Sequence, residues 1–408
     1  MNWILKQFPA LQNTRFAVFL AGYAASAVGN SFNILALNLL LFAKTQDVTA
    51  LTTMWIVRTL ARLLFQPYLG VVVDRVDRRK LLLVTQLLNA LTALSFVFVN
   101  TDTLLLVYVL TFTLQILDGL LGPAVGSVVP QIVEKESLIS ANTVVSLASK
   151  IAATLGSTLG ALLYARYSAD VLFVLNAASF LISFFTILPL RISVPKVSRK
   201  PQHWFADFKA GASIIVQYPT VMLVFGIIFV NSLIWRSFEV LIVPLMSQQS
   251  SQGTDLGFLY SSLTIGGFLG AFIVPQLNAW KRYTTSILIS SFALTIVPFI
   301  IFGSTSILSL QLAGMVLSGI LLDIIGIYSS TLVQQYVPNE FLGRVFAFQN
   351  VAIALGGLPA LLSLNTLTQV WGYQSPFLLI AGIIFGATLV FILLFSTPVV
   401  KKNKEAKP

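Results

Sequence analysis

Gly70-Val-Val-Val-Asp74-Arg75-Val-Asp77-Arg78-Arg79-Lys80 crowds six charged side chains into its last seven positions and stands between two long apolar runs. The runs, near 50–73 and 80–99, are each long enough to cross about 30 Å of hydrocarbon at about 1.5 Å per helical residue. A segment this charged cannot follow them into the bilayer, so it reads as the short turn between two membrane-crossing helices. Working outward, the same kind of run recurs near 16–43, 104–128, 139–164 and 171–192. It recurs again near 218–246, 256–279, 284–303, 306–332, 342–366 and 374–397. The expected fold is all-α, with twelve transmembrane helices.

Composition agrees. The 408 residues are 57% hydrophobic and 10% charged, with mean hydropathy +0.89, where a soluble domain carries about 25% charged residues. The run at 15–43 is too long for a signal-peptide core and reads as a retained first helix. The chain has no cysteine, which excludes disulfides, thiol nucleophiles and cysteine metal sites. Its net charge of +11 is explained by basic residues gathered on one side of a membrane, so no nucleic-acid partner is expected.

The basic residues test the topology. Of the 25 Lys and Arg, 19 fall in the terminal segments, in the turns that an even span count places on one side, or, like Lys80, Arg191 and Arg344, at the span ends facing those turns; Lys44 and Arg166 fall on the other side, and four lie well inside spans. That bias predicts a multi-pass protein of the cell membrane with both termini cytoplasmic.

One connection is long and polar. Ser193-Val-Pro-Lys-Val-Ser-Arg-Lys-Pro201 opens a linker over 193–217, which separates a bundle at 1–192 from a second at 218–398, followed by a basic tail at 399–408. Trp204, Phe208, Ala212 and Ile215 recur at helical spacing opposite Asp207 and Lys209, the pattern of either an interfacial helix or an extension of the next span. The two bundles match each other in sequence. Gln131-Ile-Val-Glu-Lys-Glu136-Ser-Leu138 aligns with Gln335-Tyr-Val-Pro-Asn-Glu340-Phe-Leu342, Ser31-Phe32 with Ser237-Phe238, and Asp118 with Asp323, all at offsets near 205. A duplicated six-helix unit with pseudo-symmetric halves is an arrangement of transporters.

The turn at 70–80 resembles the Gly-x-x-x-Asp-Arg-x-x-Arg-Arg signature of the major facilitator superfamily. Further segments look like the branch that contains macrolide-efflux and enterobactin-export proteins. These are Gly122-Pro-Ala124 with Pro130 and Leu138-Ile-Ser-Ala-Asn142, then Asp207-Phe-Lys-Ala-Gly211 with Tyr218-Pro219, and Val337-Pro338-x-Glu340-x-x-Gly343-Arg344-Val345. The resemblance implies alternating access and gives Gly70, Asp74, Arg75, Arg78 and Arg79 the role of a conformational latch. It also implies a small organic substrate, exported against protons by a protein that works as a monomer surrounded by membrane lipid, with no cofactor. Two departures limit it. Gly156-Ser157 and Gly160-Ala161 replace the Gly-Pro and Gly-Gly pairs of drug antiporters in span five, and Gln115 stands where many of them carry an arginine in span four.

Seven ionisable residues fall well inside spans, away from their ends: Arg58, Arg62, Asp118, Lys150, Arg236, Glu239 and Asp323. A lipid-exposed charge at a helix centre costs about 2.5–3.5 kcal/mol on insertion scales, so each is expected to face a cavity or a partner. They are the candidate substrate-binding and proton-coupling residues. Asp118 and Asp323 sit at matching places in spans four and ten, where each could take up a proton or bind a cation, or serve as a static partner of Arg58, Arg62 or Lys150. Arg58 and Arg62 share a face of span two, and Arg236 and Glu239 are close enough on span seven to neutralise each other. Asn30, Asn33, Gln115 and Asn231 are polar positions suited to substrate contact or to interhelical hydrogen bonds. Neither a membrane-embedded enzyme nor a transporter-like sensor is expected: with His203 the sole histidine and no cysteine, few ways remain to build a nucleophile or metal site, and a sensor would be expected to carry an added soluble domain or a long tail. No nucleotide-binding motif is present, which leaves a proton gradient as the expected energy source. A lipid flippase or an uptake symporter uses the same architecture and stays open at this point.

Overall fold

The structure, a computed structural model, describes residues 8–99, 104–134, 137–190, 213, 215–249, 254–277 and 283–396, and for some of these, Gly70, Asp74 and Arg75 among them, the backbone alone. Among the described residues it is helical throughout, with twelve helices long and apolar enough to cross a membrane. They are α1 (Thr14–Thr45), α2 (Val48–Arg75), α3 (Arg78–Ser95), α4 (Leu104–Ile132), α5 (Leu138–Arg166) and α6 (Ala169–Ile187). The series continues with α7 (Pro219–Gln249), α8 (Thr254–Leu277), α9 (Thr284–Leu294, resumed as Ile296–Ser304), α10 (Leu308–Tyr336), α11 (Asn339–Trp371) and α12 (Ser375–Ser396). Every expected span is present. Four helices, α4, α7, α10 and α11, run about a turn past the C-terminal end of their apolar runs, whereas α3 and α6 stop about a turn short of theirs. The expected interfacial helix around Trp204, Phe208 and Ala212 and the tail at 399–408 lie outside the described residues; Ile215 is buried and belongs to helical residues 215–217, which Tyr218 separates from α7.

The ends have identifiable causes. Asn13 caps α1 by accepting from the backbone N–H groups of Arg15 and Phe16 at 3.0 and 3.3 Å, and its Nδ2 donates to the Ile132 carbonyl at 2.6 Å, joining the start of α1 to the end of α4. Asp77 caps α3 in the same way through Arg79 N and Lys80 N at 2.9 and 3.1 Å. The turn after α1 is made by Gln46 in the left-handed region, φ 50°, and by Asp47, whose Oδ1 accepts from Thr49 N at 2.8 Å at the start of α2. The interruption of α9 at Thr295 is a proline effect. Pro298 has no N–H for the carbonyl of Leu294, four residues back and the last residue of the first segment.

The chain forms two compact units, Met1–Lys200 with Gln252–Gly257, and Pro201–Ser251 with Phe258–Pro408. In the first, α1 packs on α5 and α6, α2 on α4, and α3 on α4 and α6. In the second, α7 packs on α11 and α12, and α9 on α10 and α12. The shared pairs, α1–α5 with α7–α11, α1–α6 with α7–α12, α3–α4 with α9–α10 and α3–α6 with α9–α12, are those a duplicated six-helix unit requires. The α8–α10 crossing, counterpart of α2–α4, is close enough that a Cβ on Gly266 would collide with the Val316 carbonyl and one on Gly319 with the Leu263 carbonyl.

Each unit has an apolar core of its own. Phe16, Phe19, Leu82, Val128, Val129 and Ile187 pack together in the first. In the second, Phe238 meets Phe299, Phe302 and Phe377 at centroid distances of 5.5–6.4 Å. Large apolar side chains are also left outside, including Phe98, Leu105, Phe272 and Leu362, each more than 70% exposed. Water would penalise such a surface, whereas lipid is its natural solvent.

Candidate functional site

In the first unit a cavity of about 380 Å³ is walled by α1, α2 and α4 and lined by Tyr23, Asn30, Arg58, Arg62, Gln115 and Asp118, among others. Arg58 and Arg62, one helical turn apart, both reach it. Arg58 is nearly buried, and its guanidinium lies 5.4 Å from the ring centroid of Trp55. That ring is held in turn by a hydrogen bond from its Nε1 to Asn38 Oδ1 at 3.3 Å. The guanidinium thus meets an aromatic face inside the bundle in place of lipid.

Asp118 stands near the middle of α4. Asn89 on α3 donates to its Oδ1 at 3.5 Å, and Arg58, Arg62 and Asn30 act on the carboxylate from α2 and α1. One acid therefore faces two arginines, and the cavity is net positive while that acid is charged. Asn30 Oδ1 and Gln115 Oε1 are buried in its wall without a hydrogen-bond partner among the described residues.

The second unit holds a cavity of about 280 Å³ between α7, α10 and α11, lined by Asn231, Trp235, Arg236, Glu239, Ser329 and Gln349 with several aliphatic residues. Arg236 Nη1 donates to Glu239 Oε2 at 2.6 Å, an i,i+3 pair on α7. Arg236 runs along α11 at Gly357, where an added Cβ would lie 3.3–3.4 Å from its Cβ, Cγ and Nε. The glycine makes room for the arginine.

The remaining expected positions are spread elsewhere. Asp323 packs against α8, where a Cβ on Gly270 would come within 3.0 Å of its own Cβ, and it is not among the residues lining the second cavity. Lys150 lies part-buried on α5 and lines neither cavity. Asn33 is buried in α1, with neither side-chain amide atom hydrogen-bonded among the described residues. At the charged turn, Arg79 Nη2 donates to the Leu188 carbonyl just past the end of α6, joining α3 to that helix end. Arg78 is part-buried in the first turn of α3. The side chains of Asp74 and Arg75 lie outside the described residues, so the expected latch is seen only through Arg78 and Arg79.

Sequence reasoning missed several of these groups. Trp55, three residues before Arg58, was a readable signal, since that spacing places it on the same helix face. Asp77 as the cap of α3 was also readable, being an acid directly before a helix start. Asn89, Ser329 and Gln349 carried no such signal, because only the crossing of helices brings them to the cavities.

These sites sit in a chain whose residues 19–361 match the family model of the Major Facilitator Superfamily. The putative bacilysin exporter BacE of Bacillus subtilis (strain 168) is 25% identical over 346 residues, covering 84% of this chain and 85% of that protein. The enterobactin exporter EntS of Escherichia coli O9:H4 (strain HS) is 26% identical over 348 residues, 79% of each. Among solved structures, the nucleoside transporter NupG superposes with a TM-score of 0.73 at 14% identity, over 94% of this chain and all of that one. A bacterial homolog of the human lysosomal transporter Spinster, inward-facing and occupied, gives a TM-score of 0.72 at 12% identity, over 94% of this chain and 97% of that one. With twelve membrane-crossing helices, two similarly packed units and charges gathered at internal cavities, the chain belongs to the major facilitator superfamily and is a multi-pass membrane transporter, not an enzyme.

Proposed function

We propose that the protein is a proton-coupled exporter of a small amphipathic organic molecule, working by alternating access in the plasma membrane of a bacterium with both termini in the cytoplasm. The observation that carries this reading is Asp118. Among the described residues it is the one carboxylate lining the cavity of the first unit, and it shares that cavity with two arginines and two buried amide oxygens that have no hydrogen-bond partner there. Taking up a proton removes its negative charge beside Arg58 and Arg62, so one proton changes the charge that the cavity offers. An acid placed to do this couples a proton gradient to occupancy of the site.

Export is supported by the names of the curated relatives, exporters of bacilysin and enterobactin. The cytoplasmic orientation is supported by the 19-to-two distribution of basic residues. In this reading the segment from Gly70 to Arg79, the end of α2 and the start of α3, is the latch between conformational states, and the Arg79 bond to Leu188 fixes one end of it. The protein acts as a monomer, its partners being substrate, protons and lipid.

The test is accumulation of macrolides, cationic dyes, siderophores and lysolipids in everted membrane vesicles, with and without an imposed proton gradient. Gradient-dependent accumulation of at least one organic compound is expected. Accumulation indifferent to the gradient, or movement only in the opposite direction, would replace this reading with facilitated diffusion, lipid flipping or uptake.

A further inference from the structure

The two cavities offer different charges. In the first, arginines outnumber the carboxylate. In the second, Arg236 and Glu239 balance in number but not in reach, for the Arg236 side chain is 15% exposed and that of Glu239 35%. Arg236 is drawn in along Gly357 and uses Nη1 on Glu239 Oε2. The charge a ligand meets first in this cavity is therefore negative.

The rest of the wall asks for the same kind of ligand. Ser232 Oγ donates to the Ile353 carbonyl, so its hydrogen is occupied and only its lone pairs remain. Asn231 Oδ1, Gln349 Oε1 and Ser329 Oγ are buried oxygens without a partner among the described residues, and Ser329 is only 2% exposed. Such oxygens lower the stability of a protein until a donor satisfies them. Trp235 adds an aromatic surface to the wall. Its ring is braced edge-on by Phe238 at 5.3 Å, and Phe238 belongs to the aromatic core of the unit.

A carboxylate, four other oxygens able to accept and a fixed indole are complementary to a cation rich in N–H donors. The ammonium charge is attracted by Glu239 and by the ring, and its protons can be shared among the oxygens. An anion would meet the Glu239 carboxylate, and the cation it could reach, Arg236, is already paired with Glu239. The volume of about 280 Å³ admits an ammonium group together with the carbon skeleton that bears it.

We propose that the cavity of the second unit is a recognition site for an organic ammonium group, with Glu239 as its counter-ion and Trp235 as its cation–π face. Arg236 is then a positioning residue that holds the Glu239 carboxylate toward the ligand. This rests on the chain being a transporter of small organic molecules, and it adds the chemical class of the group recognised. Recognition requires no gradient and no direction, so it can be tested apart from coupling and export.

The experiment is calorimetric titration of the purified full-length protein in lipid nanodiscs with 2-phenylethylammonium and with its near-isostere 3-phenylpropionate. The wild type is expected to bind the ammonium at least about tenfold more tightly than the carboxylate. Glu239→Gln should weaken ammonium binding about tenfold or more, and Trp235→Leu about threefold. Should Glu239→Gln fail to give a monodisperse protein because Arg236 is left alone, Arg236→Gln/Glu239→Gln removes both charges and should show the same loss. The proposal is overturned if the ammonium does not bind, if the carboxylate binds equally well, or if the folded Glu239 variant, single or double, keeps full affinity. It is likewise overturned if Asp118→Asn abolishes binding while Glu239→Gln does not, since the ammonium would then sit in the first unit. Ammonium binding without gradient-driven accumulation in vesicles would sink the export reading and leave this one standing; accumulation without ammonium binding would do the reverse.

Discussion

Asp118 and Asp323 occupy matching positions on α4 and α10, 205 residues apart, yet Asp118 lines a cavity beside two arginines while Asp323 packs against Gly270 of α8. At the same offset, Arg62 corresponds to Gly267, so the second unit has a small residue where the first has a guanidinium. Duplication preserved the acid and changed its surroundings. Asp323→Asn is therefore expected to retain gradient-driven transport within about twofold. A collapse of coupling in that variant, measured by vesicle accumulation, would move the coupling role to α10.

The α8–α10 crossing should be the most size-sensitive contact of the second unit. Gly319→Leu sets a side chain where even a Cβ meets the Leu263 carbonyl and the Gly267 backbone. The expected cost is about 1–3 kcal/mol or more from overpacking, read as a lowered unfolding temperature and reduced yield of monodisperse protein. A Leu variant of unchanged thermal stability would mean that the helices do not approach this closely.

Gly357→Val tests the placement of Arg236 more gently. The new side chain would press on Arg236 and turn it from Glu239, which should raise KM severalfold for a transported substrate while the protein remains folded. Unchanged KM would show that the pair is not held by this passage.

Asn13→Ala removes both the cap of α1 and the tie to the Ile132 carbonyl. A loss of about 1 kcal/mol is expected from the cap alone. Thermal unfolding should register it, and substrate affinity should not change, because Asn13 touches neither cavity.

Much of the fold was legible because hydrocarbon imposes one solution on an apolar run. Each of the twelve runs had to become a helix, and the Asp77-Arg78-Arg79-Lys80 cluster had to mark a turn. Helix ends were less readable, as they depend on side-chain caps such as Asn13 and on the proline break at Thr295 in α9. The candidate site was half legible. Arg58, Arg62, Asp118, Arg236 and Glu239 stood out because charge is costly in lipid, and the structure brings each of them to a cavity. Which acid of the pair Asp118 and Asp323 would face open space could not be read, since that depends on the neighbouring helix. Ser329 and Gln349 are common polar residues in apolar helices, and only their position across from α7 gives them meaning.

The central claim is that a proton on Asp118 couples the gradient to transport. Its most direct test compares wild type and Asp118→Asn, purified into proteoliposomes, in two assays with the same substrate: accumulation driven by an imposed proton gradient, and exchange of labelled for unlabelled substrate at equilibrium. The account predicts that Asp118→Asn loses gradient-driven accumulation almost entirely and keeps exchange, because the substituted side chain fills the same space and cannot carry the proton. If Asp118→Asn still accumulates substrate against its gradient when protons are supplied, Asp118 is not the coupling acid and the account is contradicted.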